Sequence, residues 1–419
     1  MRCCVNRPGA YPVYLLLGGA SAVFLQMIYT PLAVYYVQTV GLNPLQLALV
    51  GMVLSATTFL CEVPTGIVAD LVSRRLSIIL GEVLVGLCFV IEGTLPLFTA
   101  IVVAEIVRGI GLTLISGALE AWVADELGES RVRAAFLRYG QVRQLGGLAG
   151  LGVGVGLATV SLTLPIVLGG ALMMALGLAL AALMPESGFR PAPRSGRSGW
   201  RGQLGAIRDT GLAAARLIRV VPVLPLLLAV AIVSGAFGEG IDRLNEAHFL
   251  RNFTFPLADR LDAVVWFGLI NLGATLLGVV AAEVVVRRVA TEREGRAAAT
   301  LLILTALRAA AAIAFGVAGN FALALAAYWA IPALRDVIVP IRQAWLNRQL
   351  NPQARATVFS IYGQADSLGQ FLGGPAIGLV GTRYGLRAAM VAAGLLLIPA
   401  MLLYIRALRQ SIGERWWRS

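Results

Sequence analysis

From Tyr11 to Ile405 the chain is a succession of about twelve apolar runs with little between them. Each run is close to the roughly 20 residues that a helix needs to cross a bilayer. In order they are Tyr11–Val40, Pro44–Ala69, Leu76–Leu95, Leu97–Ala124, Ala134–Val160, Leu164–Met184, Val223–Phe249, Leu261–Val286, Ala297–Val317, Phe321–Leu346, Thr357–Val380 and Ala388–Ile405. Such runs are too long for the strands of a barrel, and open strands leave polar backbone unpaired in lipid, so the fold class is an all-α membrane protein. Composition agrees: 58% of residues are hydrophobic and 13% charged, where a soluble domain carries roughly a quarter. The first run ends at Tyr35-Tyr36 without a small-residue cleavage site, which predicts a first span and no removable signal.

The charge gives orientation. Net charge is +12, and all 34 basic residues are arginine. For nucleic acid they would cluster on one soluble face, whereas here they fall mainly in alternate loops. Arg74, Arg75, Arg131, Arg133, Arg287, Arg288, Arg293, Arg296, Arg348 and Arg355 share one set of loops; Arg251, Arg260, Arg383 and Arg387 share the other. The richer set is predicted to be cytoplasmic, and with an even number of spans both termini are cytoplasmic too. A multi-pass protein of the inner cell membrane, monomeric and with no nucleic-acid partner, is expected.

Pro185–Pro222 is the longest break. It opens with Pro191, Pro193, Ser195 and Gly196, then turns amphipathic, with Trp200, Leu204, Ile207 and Ile218 on one stripe. A linker with a helix on the cytoplasmic leaflet is expected. The break divides the chain into six spans over 1–184, a linker over 185–222, and six spans over 223–419. The halves look duplicated. Trp122 and Trp345 are 345 − 122 = 223 positions apart, and at the same offset Tyr139-Gly140-Gln141 matches Tyr362-Gly363-Gln364. Leu145-Gly146 matches Leu368-Gly369, and Gly150 matches Gly373. Two pseudo-symmetric six-helix bundles with a pathway between them are the transporter arrangement that such a repeat predicts.

Between spans two and three lies a charged cassette, Gly66-Ile-Val-Ala-Asp70-Leu-Val-Ser73-Arg74-Arg75, echoed by Glu283 with Arg287-Arg288 at the same spacing. Gly66 is expected to let two helices approach closely. The cassette resembles the loop 2–3 signature of the major facilitator superfamily, with Ser73 in place of its second glycine, and the resemblance covers the whole chain. It implies that Gly66, Asp70, Arg74, Arg75 and Asp125 latch the cytoplasmic side in the outward-facing state. Arg108 with Gly111 looks like the span-four arginine of proton-coupled members. Gly373, Gly374 and Pro375 in span eleven resemble the Gly-Pro element of the drug:proton antiporters, an element that normally belongs to span five. Span five has Gly146 and Gly150 but no proline; its glycines are read as helix packing.

Ionised groups inside the membrane cost about 2.5–3.5 kcal/mol each on insertion scales, so those present should pair or line a wet pathway. Glu105 and Arg108, three apart on span four, are either a self-satisfied pair or pathway residues. Arg335 and Asp336 in span ten, and Glu239, Asp242 and Arg243 in span seven, are further candidates; the span-seven group is either a gate or a solvated helix end. Asp366 is a candidate proton carrier. Gln26 and Tyr29 are expected to face the pathway, Tyr35 and Tyr36 to face it or anchor at the interface, and Trp122 and Trp345 to anchor. Glu62 and Glu82 are read as additions to the latch, and Arg308 as pairing with span ten. Cys3, Cys4, Cys61 and Cys88 are read as reduced thiols, and one histidine, His248, makes no metal site. No nucleophile–base set and no phosphate loop is present, so neither an enzyme nor a cofactor is expected.

These observations lead to a secondary transporter with alternating access, exporting amphipathic small molecules in exchange for protons. Proton-linked import of a nutrient, or a receptor with a transporter fold, are the alternatives.

Overall fold

The structure is a computed structural model and describes residues 8–189, 224–257, 259–288, 294–348 and 355–416. The expected linker helix around Trp200, the thiols Cys3 and Cys4, and the side chains of Arg287 and Arg288 lie outside the described residues.

Everything described is helix and short turn. The helices are α1 (Ala10–Val34), α2 (Pro44–Leu71), α3 (Arg74–Thr94), α4 (Phe98–Leu127), α5 (Glu129–Ala158) and α6 (Thr163–Leu183). They continue with α7 (Leu224–Asn252), α8 (Ala263–Arg288), α9 (Glu294–Val317), α10 (Phe321–Arg348) and α11 (Arg355–Tyr384). The last rod is α12 (Leu386–Leu396) and α13 (Ile398–Trp416), separated by the single residue Leu397. Among the described residues nine helical segments are long and apolar enough to cross a membrane. α5, α8 and α11 are not among them: α8 holds a shorter apolar stretch, Ala263–Gly278, while α5 carries Arg131, Arg133, Arg138 and Arg143 and α11 carries Arg355, Gln364 and Gln370. Large apolar side chains point outward all along these helices, Leu60, Leu137, Leu145 and Leu178 among them. In water such a coat is a liability; against acyl chains it is the matching surface.

The chain forms two compact units, Met1–Leu42 with Val53–Gln203, and Asn43–Met52 with Leu204–Ser419. In the first unit the core gathers Tyr14, Leu17, Ile78, Leu119, Trp122 and Leu180. The second gathers Leu227, Leu301, Ile341, Trp345 and Tyr404. Both tryptophans expected to anchor at the membrane interface are therefore core residues, and Trp122 donates from Nε1 to the Pro185 carbonyl at 2.7 Å. That bond satisfies the one polar atom of the indole, which removes the reason to sit at the interface.

The span-five glycines act as packing. A Cβ on Gly146 would lie 2.6 Å from the Gly19 carbonyl and one on Gly154 2.7 Å from that of Met27; Gly150 meets the Val23 carbonyl between them. α5 thus lies directly on the backbone of α1, with a glycine at every fourth residue. In the second unit Gly369 meets the Ile232 carbonyl and Gly373 meets Ala236, so α11 lies on α7 in the same manner. Gly374 borders Glu239, and Pro375 is accommodated within α11. Positions matched at the 223-residue offset do matching work in each unit. Gly66 differs from expectation: a Cβ there would meet nothing within 4 Å, so it makes no close helix approach here.

Candidate functional site

Three groups of polar side chains stand out, two in the first unit and one in the second. The first follows from the cassette. Ser73 leaves α2 in extended backbone (φ −174°) and caps α3, its Oγ accepting from Leu76 N–H at 3.0 Å. The same hydroxyl donates to Glu186 at 2.8 Å, and Glu186 also accepts from Arg75 N–H at 3.0 Å. A serine in place of glycine therefore caps a helix and ties the turn to the end of α6. Arg74 donates to Asp125 on α4, to the Ala121 carbonyl at 3.0 Å, and to Asp70 at 3.5 Å. Arg75 reaches the Ala181 carbonyl. Asp125 stands 51 residues from Arg74 in sequence, and only folding brings them together. Glu62 is exposed and Glu82 accepts from Ser21 on α1 at 3.1 Å. Neither joins this cluster, since Glu82 lies two turns up α3 and faces α1 instead.

The second group is dry. Glu105 and Arg108 on α4 form an ion pair at 2.7 Å with side-chain exposures of 0% and 2%. The guanidinium faces the rings of Phe89 at 5.4 Å and Tyr29 at 5.9 Å. Beside the pair, close enough for the charges to act on one another, is Glu92 of α3, which is fully buried. Glu92 Oε2 accepts from Tyr36 Oη at 2.8 Å, its carbonyl accepts from Tyr35 Oη at 2.7 Å, and Cys88 Sγ lies 3.4 Å from Oε1. Tyr35 and Tyr36 both reach it because α1 ends in a π-turn, Tyr35–Thr39. Adjacent side chains on a regular α-helix diverge by about 100°; the wider π-turn reduces that divergence, and such turns recur at functional sites. The two tyrosines are thus buried at a carboxylate and are not interfacial anchors. Tyr29 is half-exposed, and the Gln26 carbonyl accepts from Thr30 Oγ1 at 2.7 Å. Glu92 and Cys88 were not expected in a site, although Glu92 was visible in the sequence as a charge near the end of an apolar run.

The third group lines a cavity of about 180 Å³ in the second unit. Glu239 pairs with Arg243 at 2.7 Å, and Asp242 with Arg335 at 3.5 Å; Arg335 also lies 3.7 Å from Asp336. Asp366 accepts from Gln370 at 2.9 Å. Arg308 and Arg342 line the same space. Arg308 sits over the Phe237 ring at 4.5 Å instead of making the expected pair with α10; among the described residues an aromatic face on α7 takes the place of a carboxylate in contact with it. His248 is buried, with Nε2 3.1 Å from the Phe315 carbonyl and Nδ1 3.1 Å from Asn252. Among the described residues no group of three or more His, Cys, Asp or Glu could hold a metal ion.

By sequence, no curated protein matches the chain. Solved structures do match it in fold. The nucleoside transporter NupG superposes with a TM-score of 0.78 at 14% identity, covering 95% of this chain and 100% of its own. A bacterial homologue of the human lysosomal transporter Spinster gives 0.73 at 16% identity, covering 96% and 97%. The peptide transporter POT, in complex with sulfate, gives 0.72 at 16% identity, covering 97% and 96%. At these identities the likeness is one of fold. Residues 15–307 match the family described as the Major Facilitator Superfamily, well over half of the chain, and the protein belongs to that superfamily of multi-pass membrane transporters.

Proposed function

We propose that the protein is a proton-coupled secondary transporter that works by alternating access and exports amphipathic small organic molecules. In this reading two six-helix halves rock about a central pathway, both termini are cytoplasmic, and the monomer works in the inner cell membrane. The observation that carries proton coupling is a second carboxylate, Glu92, buried beside the Glu105–Arg108 ion pair. Arg108 acts on both Glu92 and Glu105, and its 2.7 Å ion pair is with Glu105. Glu92 itself is in no ion pair among the described residues, and a buried charge without a close counter-charge is costly. A proton cancels it. Release of that proton requires the site to open to water, which an alternating cycle supplies. The Asp70–Arg74–Asp125 cluster supports the same cycle: it is a half-exposed ion-pair set that can break and reform at little cost.

The test is transport in proteoliposomes with an imposed pH gradient, comparing the parent with Glu92→Gln. The amide keeps the size of the side chain and its bond from Tyr36 but takes no proton. Gradient-driven accumulation should vanish while substrate-for-substrate exchange persists. Accumulation that survives Glu92→Gln refutes coupling at this site, and accumulation only on the opposite side of the membrane replaces export with import.

A further inference from the structure

The cavity of the second unit holds two buried arginines with no carboxylate in direct contact. Arg308 on α9 and Arg342 on α10 are 7% and 8% exposed. Among the described residues neither has a carboxylate within 4.0 Å. The carboxylates that line the same cavity stand further off: Glu239 pairs with Arg243 and Asp242 with Arg335, while Asp366, hydrogen-bonded by the neutral amide of Gln370, acts on both arginines from beyond 4.0 Å. Arg342 Nη1 reaches Ser234 Oγ at 3.3 Å, and both Nε atoms are enclosed with no acceptor.

A guanidinium cannot escape this position by losing its proton. Two of them held near each other, with Asp366 the one carboxylate lining the cavity that is in no ion pair among the described residues, leave a positive charge that a further anion would offset. Their faces are occupied, Arg308 by Phe237 at 4.5 Å and Arg342 by Tyr362 at 5.1 Å. Stacking uses the face of the cation and leaves the in-plane N–H donors, the part that recognises an oxyanion. At about 180 Å³ the space is smaller than the roughly 300–1,000 Å³ of pockets that enclose a whole drug-sized ligand. It suits a head group.

We propose that Arg308 and Arg342 form an anion subsite, which binds the carboxylate, sulfonate or phosphate head of the transported molecule. The proposal rests on the transport reading only in calling that molecule a substrate. Asp366, on which both arginines act electrostatically, is then the internal group that the incoming anion displaces from their field.

Equilibrium binding to the purified full-length protein in nanodiscs tests this without requiring transport. The probes share one amphipathic scaffold: 2-naphthoate, naphthalene-2-sulfonate and 2-naphthyl phosphate, against the neutral 2-naphthamide and the cationic 2-naphthylmethylamine. At least one anion should bind tenfold or more tightly than the amide and the amine. Arg308→Gln and Arg342→Gln should each weaken it about tenfold, while Arg308→Lys and Arg342→Lys, which keep the charge, recover part of the loss. Replacing phosphatidylcholine by phosphatidylglycerol identifies the source of the oxyanion. Displacement of the anionic probe in the parent but not in the Gln variants makes it a lipid head group; no displacement makes it a free solute. Amide or amine binding as tight as the anions, no anion binding, or anion binding indifferent to all four variants overturns the proposal. If gradient-driven transport of the amine or amide then persists in vesicles, the transport reading stands and the anion subsite alone falls.

Discussion

Glu105 and Arg108 allow the sharpest energetic test, because they are a buried pair with a second carboxylate at hand. Their ion pair is 2.7 Å long, with side chains 0% and 2% exposed. Two unit charges about 4 Å apart attract by about 4 kcal/mol at an effective dielectric near 20. Removing one member of a buried pair costs about 3–5 kcal/mol, since its mate stays buried and uncompensated. The two removals are not equivalent here. Arg108→Met removes the cation that Glu92 and Glu105 share and forfeits the stacking on Phe89 and Tyr29, so the full loss of about 3–5 kcal/mol is expected. Glu105→Gln leaves Arg108 with Glu92 still acting on it, so a smaller loss, about 1–3 kcal/mol, is expected. The double variant removes both charges at once and should fall short of the sum by about 2–3 kcal/mol, the coupling typical of groups in direct contact. Equilibrium unfolding of the purified protein in micelles, read by pulse proteolysis, measures all four corners. Additivity within about 0.5 kcal/mol, or an Arg108→Met variant within about 1 kcal/mol of the parent, would refute the reasoning. The same four proteins in vesicles separate structure from function. A double variant that regains both stability and transport makes the pair structural, whereas regained stability with lost transport makes it part of the pathway.

Four further outcomes are expected. Asp125→Asn should cost no more than about 1 kcal/mol, because the Arg74–Asp125 pair is partly exposed at 18% and 33%; yet it should raise the labelling rate of a cysteine placed at Leu71, and an unchanged rate would remove the latch. Gly150→Ala drives a methyl group into the Val23 carbonyl and should cost about 1–3 kcal/mol, while Gly152→Ala, with open space around it, should be neutral or slightly stabilising; equal unfolding midpoints would falsify the packing account. Glu186→Ala strips the acceptor from Ser73 Oγ and Arg75 N–H and should lower stability by about 1–2 kcal/mol in the same proteolysis assay, with no loss counting against the tie. His248→Leu should lower stability by about 1–3 kcal/mol, by leaving Asn252 and the Phe315 carbonyl without their buried partner, and chelators should have no effect on transport.

Helix count, helix limits and the charged turn were legible because each is a property of consecutive residues. A run of apolar side chains about 20 long has one outcome in lipid. The glycine spacing at Gly146, Gly150, Gly369 and Gly373 announced close packing, though not which helix would be packed against. Expectations failed wherever a residue could answer to more than one surrounding. Trp122 and Tyr36 have the chemistry of interfacial anchors, and found buried acceptors in Pro185 and Glu92 instead. Gly66 sits in a motif suited to close approach and meets nothing within 4 Å.

By itself the sequence determined an all-helical chain that spans a membrane many times, with a duplicated pattern and a charged turn of one family's form. Periodicity, length and charge order are local, and the bilayer enforces them segment by segment. Only the tertiary structure decided that Glu92 joins Glu105 and Arg108 in one dry cluster, that Glu186 ties Ser73 and Arg75 to the end of α6, and that Arg308 and Arg342 share a cavity with no carboxylate within 4.0 Å of either among the described residues. A buried charge is defined by the distance to its nearest counter-charge, and that distance belongs to helices meeting side by side, far apart in the chain.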